Sequence, residues 1–100
     1  MPRALGFTTV TVLKALDEGH RYGAQIMEAT GHGGGTVYKI LRRLERSGLV
    51  AGHWEDPSVA EAERRPRRRY YRLTPAGGAA LESSLRRFAA LVDDAVPGEA

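Results

Sequence analysis

The stretch Gly35-Thr36-Val37-Tyr38-Lys39-Ile40-Leu41-Arg42-Arg43-Leu44-Glu45-Arg46-Ser47-Gly48-Leu49-Val50 decides the fold. At about 100° per residue, with Thr36 at zero, Val37, Ile40, Leu41 and Leu44 fall between about 40° and 140°, a single apolar stripe. Tyr38, Lys39, Arg42 and Arg46 lie opposite, with Arg43 at the edge and Glu45 as the single acid. A surface helix ordinarily mixes its signs, so this outer face points to a polyanion. The pattern predicts a helix with Thr36 as its N-cap, because the Gly33-Gly34-Gly35 run before it disfavours helix. Gly48 after Ser47 supplies the stop, and Arg46 sits where the helix dipole favours a cation. Lys39 in the first turn opposes that dipole, and a bound phosphate would give its charge a purpose.

Upstream, Phe7, Val10, Leu13 and Leu16 recur every three residues, with Val12 and Ala15 beside them. They predict a first helix over 5–18, ended by Gly19, with a strand over Thr8–Val12 as the competing reading because three Thr and two Val dilute the helix propensity. Residues 21–30 predict a second, with Tyr22, Ile26 and Met27 on one face and Gly23 leaving room for a neighbour. Gly31 to Gly35 connect it to the basic helix. Two short helices around a glycine turn, the second with a basic outer face, form a helix-turn-helix plan.

Downstream the period changes. Leu49 to Trp54 and Arg67 to Thr74 predict two antiparallel strands, and the polar residues 55–66, with two prolines, a mobile loop between them. The three together make a β-wing. Thr74 is a capping residue and Pro75 suits the first helical position. Leu81, Leu85, Phe88 and Val92 then step by four, three and four, with Ala89 and Leu91 flanking. They predict a helix from about Pro75 to Ala95, stopped by Pro97-Gly98 and longer than the core needs, which suits a dimer contact. The expected class is mainly α with a small two-stranded β-wing. A winged helix-turn-helix covers 1–74, and a C-terminal dimerisation helix and tail cover 75–100.

One hundred residues suit one small domain, to which oligomerisation would add burial. The net charge of +3 is modest but unevenly spread. Residues 36–72 hold ten cations and five acids, net +5, while residues 1–35 are neutral and residues 73–100 carry −2. A basic middle third suits a nucleic-acid footprint. The absence of cysteine removes disulfide and thiolate chemistry and suits the cytoplasm. No apolar run has membrane-span length, and the start lacks the plan of a signal peptide. His20, His32 and His53 show no metal-ligand spacing. Gly31 to Thr36 lacks the Gly-Lys-Ser/Thr ending of a phosphate loop. No enzyme, cofactor or metal site is therefore expected.

Several motifs resemble the PadR family of winged helix-turn-helix transcriptional regulators. They are Tyr22-Gly23, Gly35-Thr36-Val37-Tyr38, Leu41 through Val50, Trp54-Glu55, and Arg69-Tyr70-Tyr71-Arg72-Leu73-Thr74-Pro75-Ala76-Gly77, in family order from about residue 5 to 85. The single short C-terminal helix is similar to the compact subfamily. The resemblance implies a homodimeric repressor on a palindromic double-stranded DNA operator, usually near its own promoter and often released by a small molecule. It implies that the third helix enters the major groove and that the wing lies along the backbone or minor groove. Two features depart from the family: Lys39 stands where Pro is common, and the turn is unusually rich in glycine.

On this reading Thr36 and Tyr38 reach phosphates, and Lys39 and Arg42 reach base edges, guanine above all. Arg43 and Arg46 face phosphate or solvent. Arg64, Arg65, Arg67 and Arg68 supply the wing, either in a narrow minor groove or as solvated steering charges. Arg69 and Arg72 either join them or pair with Glu55 or Asp56. Trp54, Tyr70 and Tyr71 are expected to pack the wing on the helices, ahead of stacking on a ligand. Leu81, Leu85, Phe88, Leu91 and Val92 are expected in the dimer interface first and an effector pocket second. A small apolar or aromatic effector remains an option. The competing function is a winged-helix protein-interaction module without specific DNA binding, against which the local +5 argues.

Overall fold

The structure, a computed structural model, describes residues 4–95. In chain order it runs α1 (Phe7–Asp17), α2 (Gly23–Thr30), α3 (Gly34–Arg46), β1 (Val50–Trp54), α4 (Pro57–Ala62), β2 (Arg69–Leu73) and α5 (Pro75–Ala95). The stop expected at Pro97-Gly98 lies outside the described residues. The apolar stripe of α3 is buried as its spacing requires: Val37, Ile40, Leu41 and Leu44 all enter the core. Val10, Val12, Leu13, Ala15 and Leu16 of α1 meet them there, with Ile26, Val50, Tyr71 and Leu81 closing the rest. Each large aliphatic side chain withdrawn from water stabilises the fold by about 1.5–3 kcal/mol. α1 is the central strut, packing on α2, α3, β2 and α5.

The start of α3 differs from expectation. Gly33 is the N-cap, with extended backbone and no side-chain cap, and Gly34 and Gly35 are the first two helical residues. Thr36 is therefore the third helical residue. First-turn amides lack intrahelical partners in any case, and the buried stripe behind them outweighs the low helix propensity of glycine. The shift moves Lys39 into the second turn, where the dipole has largely decayed. The helix end matches expectation. Gly48 adopts φ +75°, and the Leu49 amide donates to the Leu44 carbonyl at 3.0 Å while the Gly48 amide reaches Glu45. This wrap needs a left-handed residue at position 48.

β1 and β2 pair antiparallel, with Val50 opposite Leu73, Gly52 opposite Tyr71 and Trp54 opposite Arg69. The outer side of β2 is extended by a bridge between Tyr70 and Tyr22, and the Tyr71 amide donates to the Arg21 carbonyl at 2.8 Å. The expected mobile loop over 55–66 is instead ordered around α4. The Asp56 carboxylate caps α4 by accepting from the Ser58 amide at 2.8 Å, with Pro57 at the first helical position. Both are helix-start signals.

Thr74 ties the last helix to the first half of the molecule. Its hydroxyl donates to the Gly48 carbonyl at 2.7 Å and accepts the Gly77 amide at 3.0 Å, while its own amide donates to the Leu49 carbonyl at 3.1 Å. Gly77 sits so close to Leu49 that a Cβ would overlap that carbonyl. The stripe of α5 then divides. Leu81 is 4 % exposed and belongs to this chain's own core, so it is unavailable to the interface expected of it. Phe88 is half-buried, edge-on to Phe7 at 5.6 Å between ring centres, and the Arg87 guanidinium donates to the Leu5 carbonyl. Leu85, Leu91 and Val92 are exposed.

Gly77→Ala should destabilise the chain by about 1–3 kcal/mol, the usual cost of forcing an extra carbon into packed structure. Urea unfolding followed by circular dichroism checks this; an unchanged midpoint would contradict the contact.

Candidate nucleic-acid interface

The start of α2, the outer face of α3 and the wing converge on one open groove of about 1050 Å³. On its helical side the Tyr38 phenol lies directly over Gly23, where any Cβ would overlap the ring. The small residue expected to admit a neighbour thus admits one tyrosine. Arg42 and Arg46 project along the α3 wall, and Arg67, Arg68, Arg69 and Trp54 along the wing wall.

The wing wall is organised by Glu55. This residue is only 6 % exposed, and burying its charge requires partners. Arg65 supplies a two-pronged one, its guanidinium reaching the two carboxylate oxygens at 2.8 and 2.7 Å. The Arg68 amide and the Tyr70 hydroxyl donate to the same carboxylate, each at 3.1 Å. The Glu55 carbonyl accepts Arg67 at 3.0 and 3.1 Å, and Glu63 adds a second acid beside Arg65 at 3.2 Å. The Arg65 guanidinium holds the Glu55 carboxyl down at about 2, helped by the Arg68 amide and Tyr70 against the opposing effect of burial. The same contacts push the Arg65 guanidinium further up, Glu55 first and Glu63 second. Ser58 lowers the Asp56 carboxyl, and burial raises the Tyr71 phenol.

Thr36, Tyr38, Lys39, Arg42, Arg43 and Arg46 are all exposed on α3, and of these Tyr38, Arg42 and Arg46 line the groove. Arg64 is exposed at the end of α4 with φ +53°, a left-handed conformation unusual for a side-chain-bearing residue. Arg65 was expected at the ligand, but its side chain is 18 % exposed and engaged with Glu55. Arg67 lies 5.5 Å from the centre of the Trp54 ring, and Arg68 4.1 Å over Tyr22. Arg69 pairs with Glu45 of α3 rather than with Glu55 or Asp56. Tyr71 packs in the core as expected and Tyr70 is half-buried against Tyr22, but Trp54 is 57 % exposed. It is the last residue of β1 and lines the groove, beside the guanidinium groups of Arg67 and Arg69.

Sequence reasoning missed Glu45, Gly52 and the central role of Glu55. The Asp56-Pro57 helix start was a local signal for the ordered wing. The pairings of Glu55 and Glu45 bridge ten and 24 residues and left no local signal.

A family model described as the transcriptional regulator PadR-like family matches residues 12–83. Among solved structures, a PadR family transcription regulator from Clostridium difficile R20291 superposes with a TM-score of 0.76 at 22% identity, over 88% of this chain and 93% of that one. BpsR of Bordetella bronchiseptica, whose DNA binding is regulated by 6-hydroxynicotinic acid, gives 0.75 at 25% identity, over 100% of this chain and 72% of that one. MepR, a transcription regulator of the Staphylococcus aureus multidrug efflux pump MepA, gives 0.71 at 22% identity, over 96% and 67% of the two chains. No curated protein matches.

Because the Glu55 carboxyl is depressed from 4.5 to about 2, its contribution to wing stability is complete above about pH 4.5 and lost as pH falls toward 2. Trp54 emission should report loosening of the wing across that window. In Glu55→Gln the wing should already be loose at pH 7 and the window flat. An identical titration in both proteins would contradict the role given to Glu55.

Proposed function

This chain belongs to the PadR-like family of transcriptional regulators, and from that premise we propose that it is a homodimeric repressor of a palindromic double-stranded DNA operator. The carrying observation is the groove. Arg42, Arg46, Arg67 and Arg68 line it, and none of them pairs with a carboxylate among the described residues. Guanidinium groups whose charge no carboxylate offsets, on two facing walls, suit a phosphate backbone running between them. α3 then enters the major groove, with Lys39 and Arg42 at base edges and Thr36, Tyr38, Arg43 and Arg46 toward phosphates. Arg64, Arg67 and Arg68 meet the backbone or minor groove from the wing. Arg65 contributes from inside, by holding the wing that presents them.

The second copy docks on α5. Leu85, Leu91 and Val92 are exposed on α5, Leu85 beside the buried Ser84 and Leu91 and Val92 beyond the core contact of Phe88. Phe7 is exposed beside the half-buried Phe88. The proposed division is therefore a winged helix-turn-helix over 1–74 and a dimerisation helix and tail over 75–100, with the first turns of α5 serving both. A small apolar or aromatic effector at this dimer contact is part of the proposal, supported by the regulation of BpsR by 6-hydroxynicotinic acid. The protein would act in the cytoplasm; no described helix is long and apolar enough to cross a membrane.

Selection from a random duplex pool should return a two-fold symmetric site. On that site Arg42→Ala should cost about 1–3 kcal/mol and relax one base position. An equal loss on random duplex would assign Arg42 to phosphate, and no enrichment of any sequence would favour the protein-interaction alternative. Leu85→Asp should convert the dimer to a monomer by light scattering; an unchanged mass would overturn the interface.

A further inference from the structure

We propose that Glu45 is a positioning residue for DNA recognition: through its ion pair with Arg69, seated against Gly52, it fixes the wing relative to the recognition helix. The proposal rests on the reading of the groove as a DNA-binding face. Glu45 lies in the last turns of α3 and Arg69 is the first residue of β2, and their side chains meet at 2.5 Å with both partly shielded from water. α3 packs on β1, and the core side chain Tyr71 links β2 to it from behind; Arg69 adds an ion pair from β2 to the helix on the groove side.

Space for the pair is reserved by the strand between them. A Cβ on Gly52 would stand 2.9 Å from Arg69 Nη2 and 3.0 Å from Glu45 Oε1. Glycine in a strand interior weakens the strand and commonly marks a close approach. Gly52 has no positive φ to explain it, and the approach it permits is this ion pair. The Arg69 guanidinium is further confined by two aromatic rings, 5.5 Å from the centre of Trp54 and 5.8 Å from that of Tyr71.

Charge alone argues against Glu45. It is the single acid lining an otherwise cationic groove, and it neutralises Arg69, so a phosphate would gain from its removal. A benefit through geometry offsets that cost. Arg42 on α3 and Arg67 and Arg68 on the wing must reach their DNA contacts together, and a misplacement of about 1 Å is enough to weaken such a constellation.

Two variants separate geometry from charge. Glu45→Gln removes the acid, whereas Gly52→Ala displaces the pair and changes no charge. Both should bind the operator selected by the wild type about tenfold more weakly, the factor set by about 1.4 kcal/mol. Binding of Glu45→Gln to random duplex should hold or tighten. The double variant should be no weaker than the weaker single one, since both act on one pair. Operator binding by Glu45→Gln as tight as wild type or tighter would overturn the proposal, as would an unaffected Gly52→Ala. Trp54, the sole tryptophan, gives a readout independent of DNA. Acrylamide should quench it more in both variants at matched far-ultraviolet circular dichroism, and unchanged quenching would overturn the strut whatever the DNA result. If the wild type selects no operator, the DNA reading falls and the quenching still decides whether this pair holds the wing.

Discussion

A carboxylate buried among arginines holds the arginine-lined face of this protein together. Between residues 36 and 72 the chain carries ten cations, and folding brings many of them onto the same two walls. Like charges gathered in this way repel, and a flexible loop would let them drift apart. Glu55 prevents that by collecting the Arg65 guanidinium, the Arg68 amide and the Tyr70 hydroxyl on one side chain while its carbonyl takes Arg67. The energy of such a pair depends on full satisfaction of the buried charge, and here two oxygens share four donated bonds. Arg65 thus gives up its own exposure, and Arg67 and Arg68 gain fixed positions.

The wing must also be held in register with α3. That register comes from the frame behind it. The Leu49 amide closes the end of α3, the Leu49 carbonyl accepts Thr74, and Thr74 caps α5 while gripping Gly48. The end of α3, the first residues of the wing and the start of α5 therefore meet at one hydrogen-bonded joint. Gly77 lets the backbones approach closely enough to form it. Past this joint α5 stays on the core through Leu81, Ser84 and Phe88, while Leu85, on another side of the helix, and Leu91 and Val92, further along it, are exposed.

Local chemistry made most of the fold legible in the sequence. Helical spacing located α1, α2, α3 and α5, the β-branched and aromatic runs located both strands, and Thr74-Pro75 marked the start of α5. The failures came where distant partners decide. Thr36 is a good capping residue in isolation, but packing of Val37 and Ile40 extends α3 back over two glycines. Arg65 is indistinguishable in sequence from Arg64, Arg67 and Arg68, and only the folded wing reveals that it faces Glu55. Leu81 shares the spacing of Leu85, yet the folded core takes the side of α5 that carries Leu81, Ser84 and Phe88 and leaves Leu85 exposed. Asp56-Pro57 is the exception, a local helix-start signal within a stretch whose polarity suggested a loop.

We propose that the groove between α3 and the wing binds a DNA backbone through arginines that no carboxylate neutralises. The salt dependence of duplex binding tests it most directly, because counterion release counts neutralised phosphates. A dimer placing Arg43, Arg46, Arg67 and Arg68 of each protomer on phosphates should give a slope of about −7 in log affinity against log salt. A slope shallower than about −2 would mean that these arginines do not meet the backbone, and would contradict the account.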